Sequence, residues 1–382
     1  MKLAILAQSY LHDKTASING TFVQLHNLSK GFNKAGIDVF YICTTNDKTK
    51  PSYEVIGGIH FHWIQSQTGF FEWRRTMPLY KKLLEGITPD TVYVRGRNVL
   101  QYVAGNYANK NEIPFVWGTN GEDSAEFWKN VKRLKKSNKS LIKKIVLYPL
   151  KAFEDFYINK GMKLADEVIN QSDHQQKETK RLLGKDGIIL PSYFNVDNKN
   201  ITKSNQVLWL ATLSTNKQPE KFIELIKEID LKIWKAVLGG GSSVKDYQKT
   251  VFTKAKLSKI RCLGAIPFHD SFKLYNESKI YVNTSRPDSD GLPNAYIQSW
   301  LSGTVVLSLH HNPNKWMEKH DIGFCSNGNF NKLALKLQEL IDNPKLLSQM
   351  SKNTIQFAKE QFSNDSIIES YLNLFNKNKK TL

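Results

Sequence analysis

The stretch Tyr281-Val282-Asn283-Thr284-Ser285-Arg286-Pro287-Asp288-Ser289-Asp290-Gly291-Leu292-Pro293-Asn294-Ala295-Tyr296-Ile297-Gln298-Ser299-Trp300 reads as a β-strand, a polar turn and a helix. The helix begins near Leu292–Pro293, since proline is favoured in a first helical turn, where its missing N–H costs nothing. Asp290 and Gln298 stand eight residues apart, about 12 Å along a helix axis at ~1.5 Å per residue. Between them lie the unpaired N–H groups of the helix start and the positive end of its dipole. An elongated ligand with a central anion fits that spacing: hydroxyls at either end, a phosphate at the helix terminus. A plain capped helix with a surface acid before it fits as well, and spacing alone favours this blander reading.

Outward from that segment, short apolar runs alternate with amphipathic stretches. The expected strands of the first half are Leu3–Ala7, Val39–Thr44, Ile59–Trp63, Thr91–Val94, Phe115–Trp117 and Glu167–Gln171. Those of the second are Val207–Leu210, Lys235–Leu238, Ile260–Leu263, Ile280–Asn283 and Thr304–Leu307. Phe22, Leu25, Leu28 and Phe32 recur at helical steps before Gly36, and helices are also expected at Lys217–Ile229, Leu333–Ile341 and Ser363–Phe375. Such alternation predicts parallel α/β sheets with helices on both faces. A proline at Leu190-Pro191-Ser192 and the polar run Asp197–Asn205 mark a boundary. The expected domains cover 1–195 and 196–360, with a C-terminal helix and basic tail over 361–382 returning to the first. Two such doubly wound domains leave a cleft between the carboxyl ends of their strands.

The chain of 382 residues carries 54 Lys and Arg against 35 Asp and Glu, a formal charge of +19. That surplus concerns partners and not fold: it points to nucleic acid, anionic membrane or phosphorylated substrates. A hydrophobic fraction of 40% excludes global disorder. Cys43, Cys262 and Cys325 are far apart with no CxxC pair, which argues against a disulfide framework or zinc site and for a reducing compartment. Leu3–Ala7 is too short for a signal-peptide core, and no run reaches the ~18 apolar residues that span a bilayer. A cytoplasmic protein, peripheral on the inner membrane face if it docks there, is the expectation.

Two further turns carry candidate chemistry. Val207–Ser214 runs from strand into turn, with Lys217 where a helix is expected to begin; a lysine there reaches a phosphate as a point charge, although a solvated lysine is the commoner outcome. Ala236–Ser242 ends a strand on Gly239-Gly240-Gly241, which lets a ligand approach the backbone but lacks the GxGxxG spacing.

Together these segments resemble the retaining glycosyltransferases of family four, the glycosyl transferases group 1, whose fold is GT-B with two facing Rossmann-like domains. The family's Gly-Arg-Leu turn and Lys-Gly pair are similar to Ala211-Thr212-Leu213 and Lys217-Gln218. Its Glu-x7-Glu signature falls on Asp290 and Gln298, followed by Gly303-Thr304-Val305-Val306. In the first half, Asn19-Gly20 resembles the glycine loop after strand one, and Leu164–Ile169 with Ser172 resembles the Ala-Asp-x-Val-Ile…Ser stretch. Thr212 departs from the family's arginine and Gln298 from its second glutamate, but a glutamine amide still bonds a ribose diol. The resemblance implies sugar transfer from a nucleotide diphosphate sugar donor to a saccharide or lipid-linked acceptor, with retention and with no cofactor or metal. It implies catalytic roles for Asp290 and Lys217, and donor contacts at Gly20, Gly240, Leu292, Pro293, Asn294, Ala295 and Gln298.

Trp117–Asp123 follows a strand, so Asn120 and Glu122 are candidate acceptor or sugar contacts; a loop with a helix-capping acid fits equally. His12 reads as a surface histidine. The charge has a focus: Lys132, Arg133, Lys135, Lys136, Lys139, Lys143 and Lys144 stand among Leu134, Leu141, Ile142, Ile145, Val146 and Leu147. Upstream, Phe70–Arg75 joins aromatics to cations. An anionic membrane surface suits the combination, and so does a solvated helix whose aliphatics face the core. No RNP, KH or zinc-knuckle pattern is present, so nucleic acid is not an expected partner. The expected function is glycosyl transfer in surface polysaccharide or glycolipid assembly. Its alternatives are a GT-B sugar-nucleotide epimerase and a basic membrane- or RNA-binding protein with a decayed donor site.

Overall fold

The computed structural model describes residues 1–13, 20–67, 69, 71–194, 202–287 and 292–377. The chain divides into two compact units, Met1–Asn195 with Asn364–Leu382, and Val196–Ser363. In the first, the elements run β1 (Lys2–Leu6), α1 (Gly20–Lys34), β2 (Asp38–Thr45), β3 (Tyr53–Ile56), β4 (Ile59–Gln65), α2 (Glu72–Ile87), β5 (Thr91–Arg95), α3 (Leu100–Lys110), β6 (Phe115–Gly118), α4 (Lys129–Lys136), α5 (Leu141–Leu164), β7 (Glu167–Asn170), α6 (Asp173–Leu183) and β8 (Ile188–Ile189). The sheet order is β3-β4-β2-β1-β5-β6-β7-β8, parallel throughout except for β3 against β4.

Both faces of this sheet are covered, which is why β1 is apolar at every position after Lys2. Leu3 and Ile5 belong to one core cluster, Ala4 and Leu6 to another, as the two-residue side-chain period requires. Leu25, Leu28 and Phe32 of α1 pack on the first face; Tyr80 and Leu84 of α2, Val103 of α3 and Ile158 of α5 pack on the second. The β3–β4 hairpin, absent from the sequence expectation, closes over Gly57-Gly58, both at positive φ, with Ile56 opposite Ile59. That two-glycine turn between apolar residues was the available signal.

The second unit runs β9 (Gln206–Leu210), α7 (Pro219–Lys227), β10 (Lys235–Gly239), α8 (Lys245–Leu257), β11 (Arg261–Gly264), α9 (Phe268–Glu277), β12 (Ile280–Asn283), α10 (Asn294–Leu301), β13 (Val305–Ser308), α11 (Trp316–His320), β14 (Gly323–Cys325), α12 (Phe330–Asp342) and α13 (Pro344–Phe362). All six strands are parallel, in the order β11-β10-β9-β12-β13-β14. The last helix, α14 (Asp365–Lys377), belongs to the first unit: Ile367, Ile368, Tyr371, Leu374 and Phe375 are buried in the cluster that contains β1 and α1. Two expected helix starts are corrected by two residues or fewer. α7 opens at Pro219, after Gln218 in a left-handed conformation, so Lys217 lies in the turn. α10 opens at Asn294 with Pro293 as its cap.

Candidate functional site

In the second unit β9 is the strand from which the connections run both ways, so its junction with β12 is the topological switch point, where open α/β sheets bind ligands at the carboxyl ends of their strands. Two loops meet there. The Thr284 hydroxyl, 1% exposed, donates to the carbonyls of Lys217 at 2.9 Å and Gln218 at 2.8 Å, and accepts from Trp209 Nε1 at 2.9 Å. The Arg286 N–H donates to the Asn216 carbonyl at 2.8 Å. The turn that carries Lys217 is therefore fixed to the strand end that leads into α10. Lys217 itself is half-buried.

From there the chain reaches the start of α10. Leu292 is buried, Pro293 is extended, and Asn294 and Ala295 are half-buried at the first helical turn. Gln298 lies one turn further on, 5% exposed, with Nε2 directed to Ser271 Oγ at 3.4 Å. Beside it, the end of β13 adds a buried polar set missed from the sequence. Ser308 Oγ accepts from Tyr296 at 2.8 Å, and His311 Nε2 bonds the Arg286 carbonyl at 2.9 Å. The signal for it was a run of polar residues directly after an apolar strand. Asp290 lies outside the described residues.

Gly240 has φ +146, and a Cβ there would come within 1.9 Å of the Ala211 carbonyl oxygen. The close approach this glycine permits is thus one of the chain to itself: the β10 exit lies on the β9 exit. Thr212, next to it, is exposed.

In the first unit Gly20 is the first residue of α1 and exposed. Asn120, beyond β6, reaches that helix start, its Nδ2 donating to Thr21 Oγ1 at 2.8 Å. Glu122 turns elsewhere. It accepts at 3.4 Å from the hydroxyl of Ser172, the N-cap of α6, with His174 Nε2 3.9 Å away. Burial raises the Glu122 carboxyl pKa, while His174 and Ser172 pull it back. The structure thus joins Asn120 to the Gly20–Thr21 helix start and places Glu122 on the hydroxyl of Ser172, the residue that caps α6. His12 is exposed, its ring 5.2 Å from Tyr10. Among the described residues no group of three or more His, Cys, Asp or Glu is placed to hold a metal.

Two parallel α/β sheets, with the strand ends of the second gathering a lysine turn and a helix start, define a GT-B protein. The same fold is found in sucrose-phosphate synthase of Thermosynechococcus elongatus, which is similar to this chain at a TM-score of 0.72 and 14% identity over 98% of each chain. A mutant of Staphylococcus aureus TarM, in complex with fondaparinux, α-GlcNAc-glycerol and UDP, is similar at a TM-score of 0.70 and 14% identity, over 98% of this chain and 99% of that one. Residues 194–357 match the model of the glycosyl transferases group 1. A curated relative, poly(ribitol-phosphate) α-N-acetylglucosaminyltransferase of S. aureus strain COL, is 29% identical over 107 residues. The shared stretch spans 27% of this chain and 21% of the relative's own length.

Proposed function

We propose that the protein is a retaining glycosyltransferase that moves a sugar from a nucleoside diphosphate sugar to a saccharide or lipid-linked acceptor, in cytoplasmic assembly of a surface polysaccharide or glycolipid. The second unit takes the donor and the first the acceptor, with Asn120 near it. The observation that carries this reading is the Thr284 lock, which holds the Lys217 turn against the strand leading to α10. Bond cleavage puts negative charge on the leaving diphosphate, and groups already in place stabilise it without reorganising. Lys217 and the positive end of the α10 dipole fill that role. Asp290 holds sugar hydroxyls, the Gln298 side chain holds the ribose, and Gly240 contributes a donor contact from the β10 exit.

Calorimetric titration of the purified protein with UDP, GDP and ADP, without added metal, tests the reading. One nucleotide is expected to bind saturably. Lys217→Ala is expected to weaken it about 10- to 100-fold, the worth of a charged hydrogen bond, whereas Lys180→Ala, a solvent lysine of α6 paired with Asp186, leaves it unchanged. Absence of binding by all three nucleotides, or equal losses in both variants, overturns the assignment.

A further inference from the structure

The donor reading leaves the basic cluster of the first unit unused. α5 is 24 residues long, yet its buried positions are Asp155, Ile158, Asn159, Gly161 and Met162, all in its second half. Its first two turns carry Leu141, Ile142, Ile145 and Val146 at 74%, 75%, 64% and 57% exposure. They recur at three- and four-residue steps, and exposed Phe156, eleven residues beyond Ile145, falls on the same face. The expectation of core-facing aliphatics therefore holds only for Leu134, which is buried in α4.

The cations surround that face. Lys132 pairs with Glu126 and Arg133 with Asp123, and the Lys144 ammonium donates to the Lys135 carbonyl at 2.8 Å. Lys135, Lys136, Lys139 and Lys143 are exposed and, among the described residues, have no carboxylate partner. α4 is pinned to α5 by Asp155, which accepts from Arg97 Nη2 at 2.8 Å and from the Val131 N–H at 3.0 Å. The start of α2 brings the second cationic stretch to the same helix: Trp73 lies 5.2 Å from Tyr157, and the Arg74 guanidinium 5.2 Å over the Phe153 ring.

We propose that the α4–α5 surface docks on an anionic lipid bilayer, with the aliphatic face of α5 in the headgroup region and the lysines on lipid phosphates. An apolar helical stripe flanked by unpaired cations is the pattern of a helix lying in the membrane plane. A second copy of this chain brings like charges together over the same face. Nucleic acid uses the cations but gives the four aliphatics no apolar partner.

Cosedimentation of the full chain with phosphatidylglycerol/phosphatidylcholine vesicles, and with pure phosphatidylcholine, tests this without nucleotide, so its failure is separate from that of the donor reading. Binding is expected on the anionic vesicles alone. Exchange of Lys135, Lys136, Lys139 and Lys143 to Gln is expected to weaken it more than 100-fold, at about fivefold per cation. Ile142→Ser with Ile145→Ser is expected to weaken it about tenfold or more. All six positions are solvent-exposed, and unchanged melting curves verify folding. No binding to anionic vesicles overturns the proposal. So does full binding by the double serine variant, which marks plain charge adsorption of the kind RNA also shows. A concentration-dependent dimer abolished by the serines, without vesicle binding, assigns the face to a second copy instead.

Discussion

At the scale of single residues the second unit depends on backbone conformations that few side chains tolerate. Gly240, at φ +146 against the Ala211 carbonyl, is one. Gly240→Ala is expected to destabilise the unit by about 3 kcal/mol or more, since both strain and overlap are introduced. Gly36, at φ +80 in open space, provides the comparison: alanine there costs about 1 kcal/mol, from conformation alone. Urea unfolding of both variants measures the difference, and equal losses would show that the Ala211 contact is relaxed. Gln218 has the opposite relation to its site. It occupies φ +49, a left-handed position suited to glycine, at the place where the family resemblance puts the glycine of a Lys-Gly pair. The glycine turn at 239–241 was visible in the sequence as a close-approach site. That its neighbour is Ala211 was not, because the partner lies on another strand.

Elements carry the next level of argument, and the loop pair at the β9–β12 junction is its centre. Thr284→Val keeps the shape of the side chain but removes the hydroxyl that bridges Trp209 to the Lys217 turn. The buried indole N–H then lacks an acceptor, at a cost of about 1–3 kcal/mol, and nucleotide affinity is expected to drop about tenfold as the turn loosens. Thr284→Ser restores both. Calorimetry and melting on the pair provide the check, and wild-type affinity in the valine variant would detach the lock from binding. Most of the strands were legible because a parallel strand buried on both faces is a continuous apolar run, as in Leu3–Leu6 and Val305–Leu307. β3, β8 and β14 were not: they are edge strands of four, two and three residues, and such short runs have no periodicity to read. α5 shows the same limit in another form. Its sequence is compatible with both a core-facing and a solvent-facing aliphatic stripe, and only tertiary packing, which covers the helix from Asp155 onward, separates the two.

On the scale of the whole molecule, the first unit is assembled from both ends of the described chain. Arg95 at the end of β5 donates to Tyr371 of α14 at 3.3 Å and to Tyr93 at 3.0 Å, while Phe375 lies 5.4 Å from Phe32 and 5.8 Å from Tyr93. Truncation after Ser363 is expected to leave the second unit with a cooperative melt and to strip the first of its own, because five buried apolar side chains of α14 are lost at once. Limited proteolysis reads the outcome: rapid cleavage within 1–195 is expected, and an intact, protected fragment would contradict it. The placement of α14 also sets a timetable. The sheet of the first unit leaves the ribosome early, yet its covering helix is encoded after the whole second unit. At 5–20 residues per second the interval is roughly 10–30 s. During it the face of β1, β2 and β5 that receives Tyr371 and Phe375 stands open, so the newborn chain presents a chaperone with its stickiest surface at the N-terminal unit, and the later-made unit is the first to finish.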